Sequence, residues 1–173
     1  MWAKLVRILK HRWQADDATE RAVSAAVLDR LAERVKDSEN RHSGEIRIYV
    51  EAGLPLSYLW RSDDVAAITR QRALAMFGKL RVWDTADNNG VLIYLLLAEQ
   101  RIEIVADRGL NERVPINTWP ALVQSMGAAF KAQNFELGLA QAIDGVSALL
   151  VAHFPLSAGQ TNRNELPDQP VLG

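Results

Sequence analysis

Val91-Leu92-Ile93-Tyr94-Leu95-Leu96-Leu97 is an unbroken apolar run, reached through Asp84-Thr85-Ala86-Asp87-Asn88-Asn89-Gly90 and followed, after Ala98-Glu99-Gln100, by Arg101-Ile102-Glu103-Ile104-Val105-Ala106. Turn formers bound the first run, which is too short for a buried helix and fits a central strand covered on both faces. The second run begins by alternating polar and apolar residues, the period of a half-buried strand. So short a gap between two strands predicts an antiparallel hairpin. Pairing Leu97 with Arg101 across the turn brings Val91 near Asp107.

Upstream, Glu45-Ile46-Arg47-Ile48-Tyr49-Val50-Glu51 alternates in the same way and predicts a first strand. A helix from a Ser62 cap to about Leu80 separates it from the hairpin, with Ala66, Ala73, Phe77 and Leu80 on one side. A connection of that length makes the first two strands parallel, joined by a right-handed crossover. Before them, residues 16–39 predict a helix capped by Asp16 or Asp17, with Val23, Val27, Leu31 and Val35 along one face. After the hairpin, Trp119, Leu122, Val123, Met126 and Phe130 form one helical stripe, capped by Thr118 with Pro120 in its first turn. Phe135, Leu139, Ile143, Val146 and Leu150 form the next stripe. The expected fold is α/β: a small mixed sheet of at least three strands covered by helices on both faces, with a further short strand near Val114-Pro115-Ile116. The chain divides into a basic helix over residues 1–15, the α/β domain over 16–155, and a disordered polar tail over 156–173.

Composition removes many chemistries. There is no cysteine, which excludes disulfides, thiolate metal sites and a cysteine nucleophile. His11, His42 and His153 are far apart and form no zinc-binding spacing. His42 reads as a solvated loop residue and His153 as a C-terminal helix-dipole partner. A formal net charge of −1 leaves no electrostatic footprint for nucleic acid. No G-x-S-x-G, G-x-x-x-x-G-K-[ST] or G-x-G-x-x-G motif is present. No run of about 18 apolar residues predicts a membrane span, and no signal peptide is recognised. The cytoplasm is the expected compartment.

The near-neutral charge is an average over two unlike parts. Residues 1–14 carry four cations (Lys4, Arg7, Lys10, Arg12) and no acid, while the other 159 carry 16 cations and 21 acids, a net of −5. In the same segment Trp2, Leu5, Val6, Leu9 and Trp13 recur at helical spacing. Two readings follow. The helix lies on the inner face of an anionic membrane or on a membrane-associated protein partner, through Trp2, Lys4, Arg7, Lys10 and Trp13. Alternatively, it docks on its own domain through its aromatic residues.

The predicted topology gathers Glu45, Asp84, Asp87, Asn88, Asn89, Asp107 and Arg108 around one rim of the sheet. Such a rim could hold a hard divalent cation through oxygen ligands, or an anion through Arg108 and turn amides. Asp84, Asp87 and Asp107 are the candidate metal ligands; Glu45, Asn88, Asn89 and Arg108 are the candidate ligand contacts. Asp107 stands at the mouth of an apolar hairpin, where a buried carboxylate needs a cation or a donor.

The stretches Asp87-Asn88-Asn89-Gly90-Val91-Leu92-Ile93-Tyr94-Leu95-Leu96 and Arg101-Ile102-Glu103-Ile104-Val105-Ala106-Asp107-Arg108-Gly109-Leu110 together resemble the TPM domain. That family is named for a thylakoid lumen protein, a photosystem II repair protein and a nematode receptor modulator. Gly44-Glu45-Ile46-Arg47, Trp83-Asp84-Thr85, Trp119 and Phe135-Glu136-Leu137-Gly138-Leu139 also match, so the likeness covers about residues 20–155. It implies a three-layer α/β/α sandwich. For some members it implies calcium or other divalent-ion binding and a weak metal-dependent acid phosphatase activity; for others, a non-catalytic role as partners of membrane or envelope complexes. The sequence departs from the familiar exported members. It has Asp87 where they carry Arg, Ala106-Asp107-Arg108-Gly109 where they carry Gly-Tyr-Gly, and Val114-Pro115-Ile116 where they carry an acid. These departures change the donor set of an ion site. The chain looks like the small bacterial branch without signal peptide or membrane anchor, and the accessory role is the expected one.

Overall fold

The computed structural model describes residues 2–13, 18–157 and 159–173, and of residues 2–5 the backbone alone. The hairpin forms where the sequence places it: β2 (Val91–Leu96) and β3 (Arg101–Ala106) pair antiparallel. The register differs by one residue, Leu96 and not Leu97 facing Arg101. Leu97 leaves the strand because Leu97–Glu99 winds into a 3-10 turn. That turn is tied to the end of the first strand by Ala98 N–H on Ala52 O and is closed by Gln100 in the left-handed region.

The first strand, β1 (Ile46–Glu51), pairs parallel with β2 as expected. A fourth strand exists, but not near Val114, where the chain turns without pairing. It is β4 (Val171–Leu172), parallel to β1, in the tail read from composition as disordered. The sheet order is β3-β2-β1-β4. The tail is a strap held at several points. Leu166 is buried, Arg47 donates to Pro167 O and Gln169 O, and Gly173 N–H donates to Val50 O. Glycine, asparagine and proline disfavour regular structure without preventing an extended segment from being stapled to a sheet edge.

Strand alternation divides the core in two. Ile46, Ile48, Val50, Val91, Ile93, Leu95, Ile102 and Ile104 face one layer of helices. That layer holds α3 (Ala25–Glu39), α7 (Thr118–Lys131) and α8 (Phe135–His153). Tyr49, Leu92, Tyr94, Leu96 and Val105 face the other layer, built from α4 (Leu56–Leu59) and α5 (Val65–Lys79). The architecture is therefore the expected α/β/α sandwich. By length and composition α8 could cross a membrane, and here its Leu139, Ala142, Ile143, Val146 and Leu150 are core residues.

Helix starts moved by a few residues, each for a local reason. The helix expected over 16–39 breaks at Val23-Ser24 into α2 (Ala18–Ala22) and α3, because Ser24 is extended at the N-cap while Val23 is buried. Asp16 and Asp17, its expected caps, lie outside the described residues. Asp64 rather than Ser62 caps α5, accepting from Ala67 N–H at 2.7 Å. Asn117, not Thr118, precedes α7. The remaining short helix, α6 (Arg108–Asn111), follows β3 directly.

Helix α1 (Trp2–Arg12) lies over α4 and the turns after β1 and β2, at the end of the sheet opposite the rim. Six-residue strands separate those two ends by roughly 20 Å. Of the two aromatics in the self-docking reading, Trp13 is exposed; among the described side chains Ile8 packs against the core and polar groups hold the helix. Arg7 donates to the carbonyls of Leu59, Arg61 and Asp63, which end α4 and lead into α5. The buried His11 ring accepts from Leu54 N–H at Nδ1, and its Nε2 lies 2.9 Å from Glu99, which Lys10 also contacts at 2.7 Å. Val6, Leu9 and Trp13 turn outward, 49, 58 and 88% exposed. The side chains of Trp2 and Lys4 lie outside the described residues.

Candidate functional site

The rim is built where three backbone segments meet at the amino ends of β1 and β2. Val91 N–H donates to Glu45 O, Asp107 N–H to Gly90 O, and Gly109 N–H to Asn88 O, each at 2.8–2.9 Å. Two glycines make this closeness possible. A Cβ on Gly90 would lie 2.0 Å from Val82 O, and one on Gly109 would lie 2.6 Å from both Asp87 O and Asn88 O. Between them Asn88 takes a left-handed conformation that asparagine tolerates better than most residues.

The side chains there divide into two groups. At the hairpin mouth Asp107 caps α6, one oxygen accepting from Arg108 N–H at 2.7 Å, while Oδ2 is buried without a partner. Arg108 Nε donates to Asn88 Oδ1 at 3.2 Å. Toward β1, a chain of side chains runs from Asn89 to Ser43 to Asp87. Asn89 Nδ2 donates to Ser43 Oγ, which donates to Asp87 Oδ2, both at 3.1 Å. Asn89 is wholly buried and its Oδ1 has no partner. Asp107 and Asn89 thus offer unpartnered buried oxygens, the donor type a hard cation takes. Asp84 is turned elsewhere, paired with Arg81 at 2.7 Å on the surface. Among the described residues no three His, Cys, Asp or Glu side chains form a metal-holding group.

Glu45 has its backbone at the rim and its side chain away from it. The carboxyl is fully buried beneath the strap, Oε2 accepting from Leu166 N–H at 3.0 Å and Oε1 unpartnered. Glu39 and Asp168 lie in the same acidic interior. Burial, then the Glu45 charge, raises the Glu39 carboxyl to about 9, so it is protonated at neutral pH, with Asp168 adding to the shift. Burial raises Glu45 as well.

His42, expected in a solvated loop, is wholly buried, with Nδ1 on Gly44 O at 3.0 Å. Burial lowers its pKa to about 4, keeping it neutral. The strap closes over this side of the rim. Asn162 donates to His42 O and Gly44 O, and Glu165 accepts from Ala86 N–H. An open cavity of about 720 Å³ results, lined in part by Ser43, Asp87, Arg113, Phe154, Arg163 and Glu165. It holds two guanidinium groups and two carboxylates. Ser43, Glu39, Glu165 and Asp168 were not found by sequence reasoning. Three of them act through partners more than a hundred positions away or through the strap, and no local pattern marks such residues.

The fold has solved counterparts. The NMR structure of BA42 protein from the psychrophilic bacterium Bizionia argentinensis sp. nov. superposes with a TM-score of 0.73 at 27% identity, over 87% of this chain and 95% of that one. No curated protein matches the chain. The family model described as TPM domain matches residues 17–149, which takes in the hairpin, the rim and the core helices up to the last turn of α8, and leaves out α1 and the strap: the chain belongs to the TPM domain family.

Proposed function

We propose that this chain is a non-catalytic docking module of the TPM type that seats its domain on a membrane surface through α1. The observation that carries the reading is the orientation of that helix. Arg7, His11 and Ile8 engage the domain, while Val6, Leu9 and Trp13 form an outward apolar stripe. Neighbouring α4 adds exposed Leu56 and Trp60. Amphipathic helices with exposed tryptophan bind bilayers by burying the apolar face at the headgroup boundary. Arg7 and Lys10 already bond within the protein, so insertion outweighs charge in this reading. Co-sedimentation with phosphatidylcholine/phosphatidylglycerol vesicles tests it. The full chain is expected to pellet, to lose less than tenfold affinity in 1 M salt, and to lose binding in Leu9→Asp and Trp13→Asp. No pelleting, or undiminished binding by both variants, overturns the proposal.

A second property rests on the two orphaned oxygens. At the hairpin mouth Asp107 Oδ2 would be a donor to a divalent cation such as calcium, which would supply a positive charge there; Asn89 Oδ1, toward β1, is the second unpartnered oxygen. A ligand selective for the folded state raises its stability. The melting temperature is therefore expected to rise in millimolar calcium, and the rise to vanish in Asp107→Ala. In a non-catalytic module the cation drives no hydrolysis: p-nitrophenyl phosphate is expected to remain intact with calcium, magnesium or manganese. Phosphate release that Asp107→Ala abolishes would replace this reading with that of a weak acid phosphatase.

A further inference from the structure

The two edges of the sheet are finished differently. On the β1 side the strap supplies β4; on the β3 side no strand follows. The pairing of β3 with β2, continued by Asp107 N–H on Gly90 O, turns the peptide groups of Arg101, Glu103 and Val105 inward. Those of Ile102, Ile104 and Ala106 point outward. Two side chains stand where a neighbouring strand would donate: Arg70 Nη1 to Ile104 O at 2.5 Å, and Asn111 Nδ2 to Ala106 O at 2.6 Å. These carbonyls are two residues apart, the repeat at which an added strand presents its own N–H groups.

Beside this edge a groove of about 580 Å³ runs between α5 and α7. Its α7 wall is apolar, made by Trp119, Pro120 and Val123, and the opposite wall is charged, made by Arg70 of α5 with Arg101 and Glu103 of β3. Both guanidinium groups share one carboxylate, Arg101 at 3.2 Å and Arg70 at 3.6 Å from Glu103, and both side chains remain over 40% exposed. One positive charge is therefore left over beside an apolar wall.

We propose that the β3 edge and this groove form a binding site for an extended acidic segment of a partner protein, which adds to the sheet as a fifth strand. The site dictates the segment's pattern. Side chains of an added strand alternate between the two faces, so every second one meets Trp119 and Val123 and the others meet Arg70 and Arg101. An alternation of β-branched and acidic residues satisfies both walls. A peptide N–H replaces Arg70 on Ile104 O, and the released guanidinium pairs with a peptide carboxylate. This surface is independent of α1 and of membrane binding.

The probe is acetyl-(Glu-Val)₄-amide, titrated into the ¹⁵N-labelled full chain, with the Lys-Val octapeptide as control. Saturable shifts are expected at the Ile102, Ile104 and Ala106 amides and the Trp119 indole, with none from the control. Arg70→Glu is expected to weaken binding at least tenfold. Val123→Glu, on the opposite wall, is expected to do the same and guards against a folding defect in the first variant; thermal melting checks both. The proposal is overturned by absence of these shifts at millimolar peptide or by equal binding of the lysine peptide. Unchanged affinity in both variants also overturns it, as does a concentration-dependent dimer seated on β3.

Discussion

The two segments outside the family match, α1 and the strap, attach to the same domain by opposite arrangements. The strap buries Leu166 in the core cluster that includes Tyr49 and Leu92, and supports it with backbone bonds to β1. Helix α1 buries His11, packs Ile8 against the core and leaves Val6, Leu9 and Trp13 in solvent. A segment that hides its hydrophobic surface completes the fold, whereas one that displays it is shaped for something outside the fold. On the proposed reading the C-terminal appendage serves stability and the N-terminal one interaction.

The sharpest way to break that assignment is to remove the strap's anchor. Leu166→Ala deletes a buried side chain and leaves a space beside β1, which should cost about 2–4 kcal/mol. Urea unfolding followed by tryptophan fluorescence measures it. A loss below about 1 kcal/mol would show that the strap is no part of the folded core.

Next in size is the acidic interior that the strap covers. Burial and the Glu45 charge hold Glu39 protonated up to about 9, whereas in the unfolded chain it titrates near 4.5. Between those values the unfolded state has released the proton and the folded state has kept it. Stability therefore falls by about 1.4 kcal/mol per pH unit as pH rises. His42 has the opposite sign. Buried and lowered to about 4, it contributes fully above its unfolded value of 6.5 and loses that contribution as pH falls toward 4. The two slopes oppose each other between about 4.5 and 6.5, and the raised Glu45 carboxyl adds to the downward one, so above that range only the carboxylate slopes remain. Stability should thus change least from pH 5 to 6.5 and then fall by at least about 2 kcal/mol by pH 8, as urea midpoints measure. Glu39→Gln, whose amide can still accept from Ile46 N–H, should flatten the upper limb. A wild-type chain as stable at pH 8 as at pH 6 would contradict the buried acid.

These residues also show what could be read before the structure. Periodicity located β1, β3 and the α8 stripe, because burying one face imposes a repeat that survives in one dimension, and an unbroken apolar run between turn formers located β2. It placed the rim loops together, since a hairpin and a parallel crossover leave few arrangements. It could not place β4, whose two residues are too few to show a period. It could not tell that Glu45 turns toward the strap, because the strap itself looked unstructured. For α1 the periodic stripe was real, but a stripe does not say which side faces home. Arg7 and His11 decide that through Leu59 O and Leu54 N–H, partners more than forty residues away.

The smallest expected effect is the most informative about α1. Leu9 is more than half exposed, so Leu9→Asp removes little buried area and adds a charge that water can solvate. It also sits beside Lys10 and Arg12, which lessens any repulsion from the acidic domain. Its effect on urea unfolding should stay within about 0.5 kcal/mol, an order below that of Leu166→Ala. The same substitution should abolish vesicle binding, because an ionised carboxylate at the centre of an interfacial stripe must be dragged into the headgroup boundary. The dissociation of the two readouts is the test. A residue that serves the fold would lose both together, and a residue with no role would lose neither. Only a face made for an external surface loses binding while the domain beneath it stays equally stable.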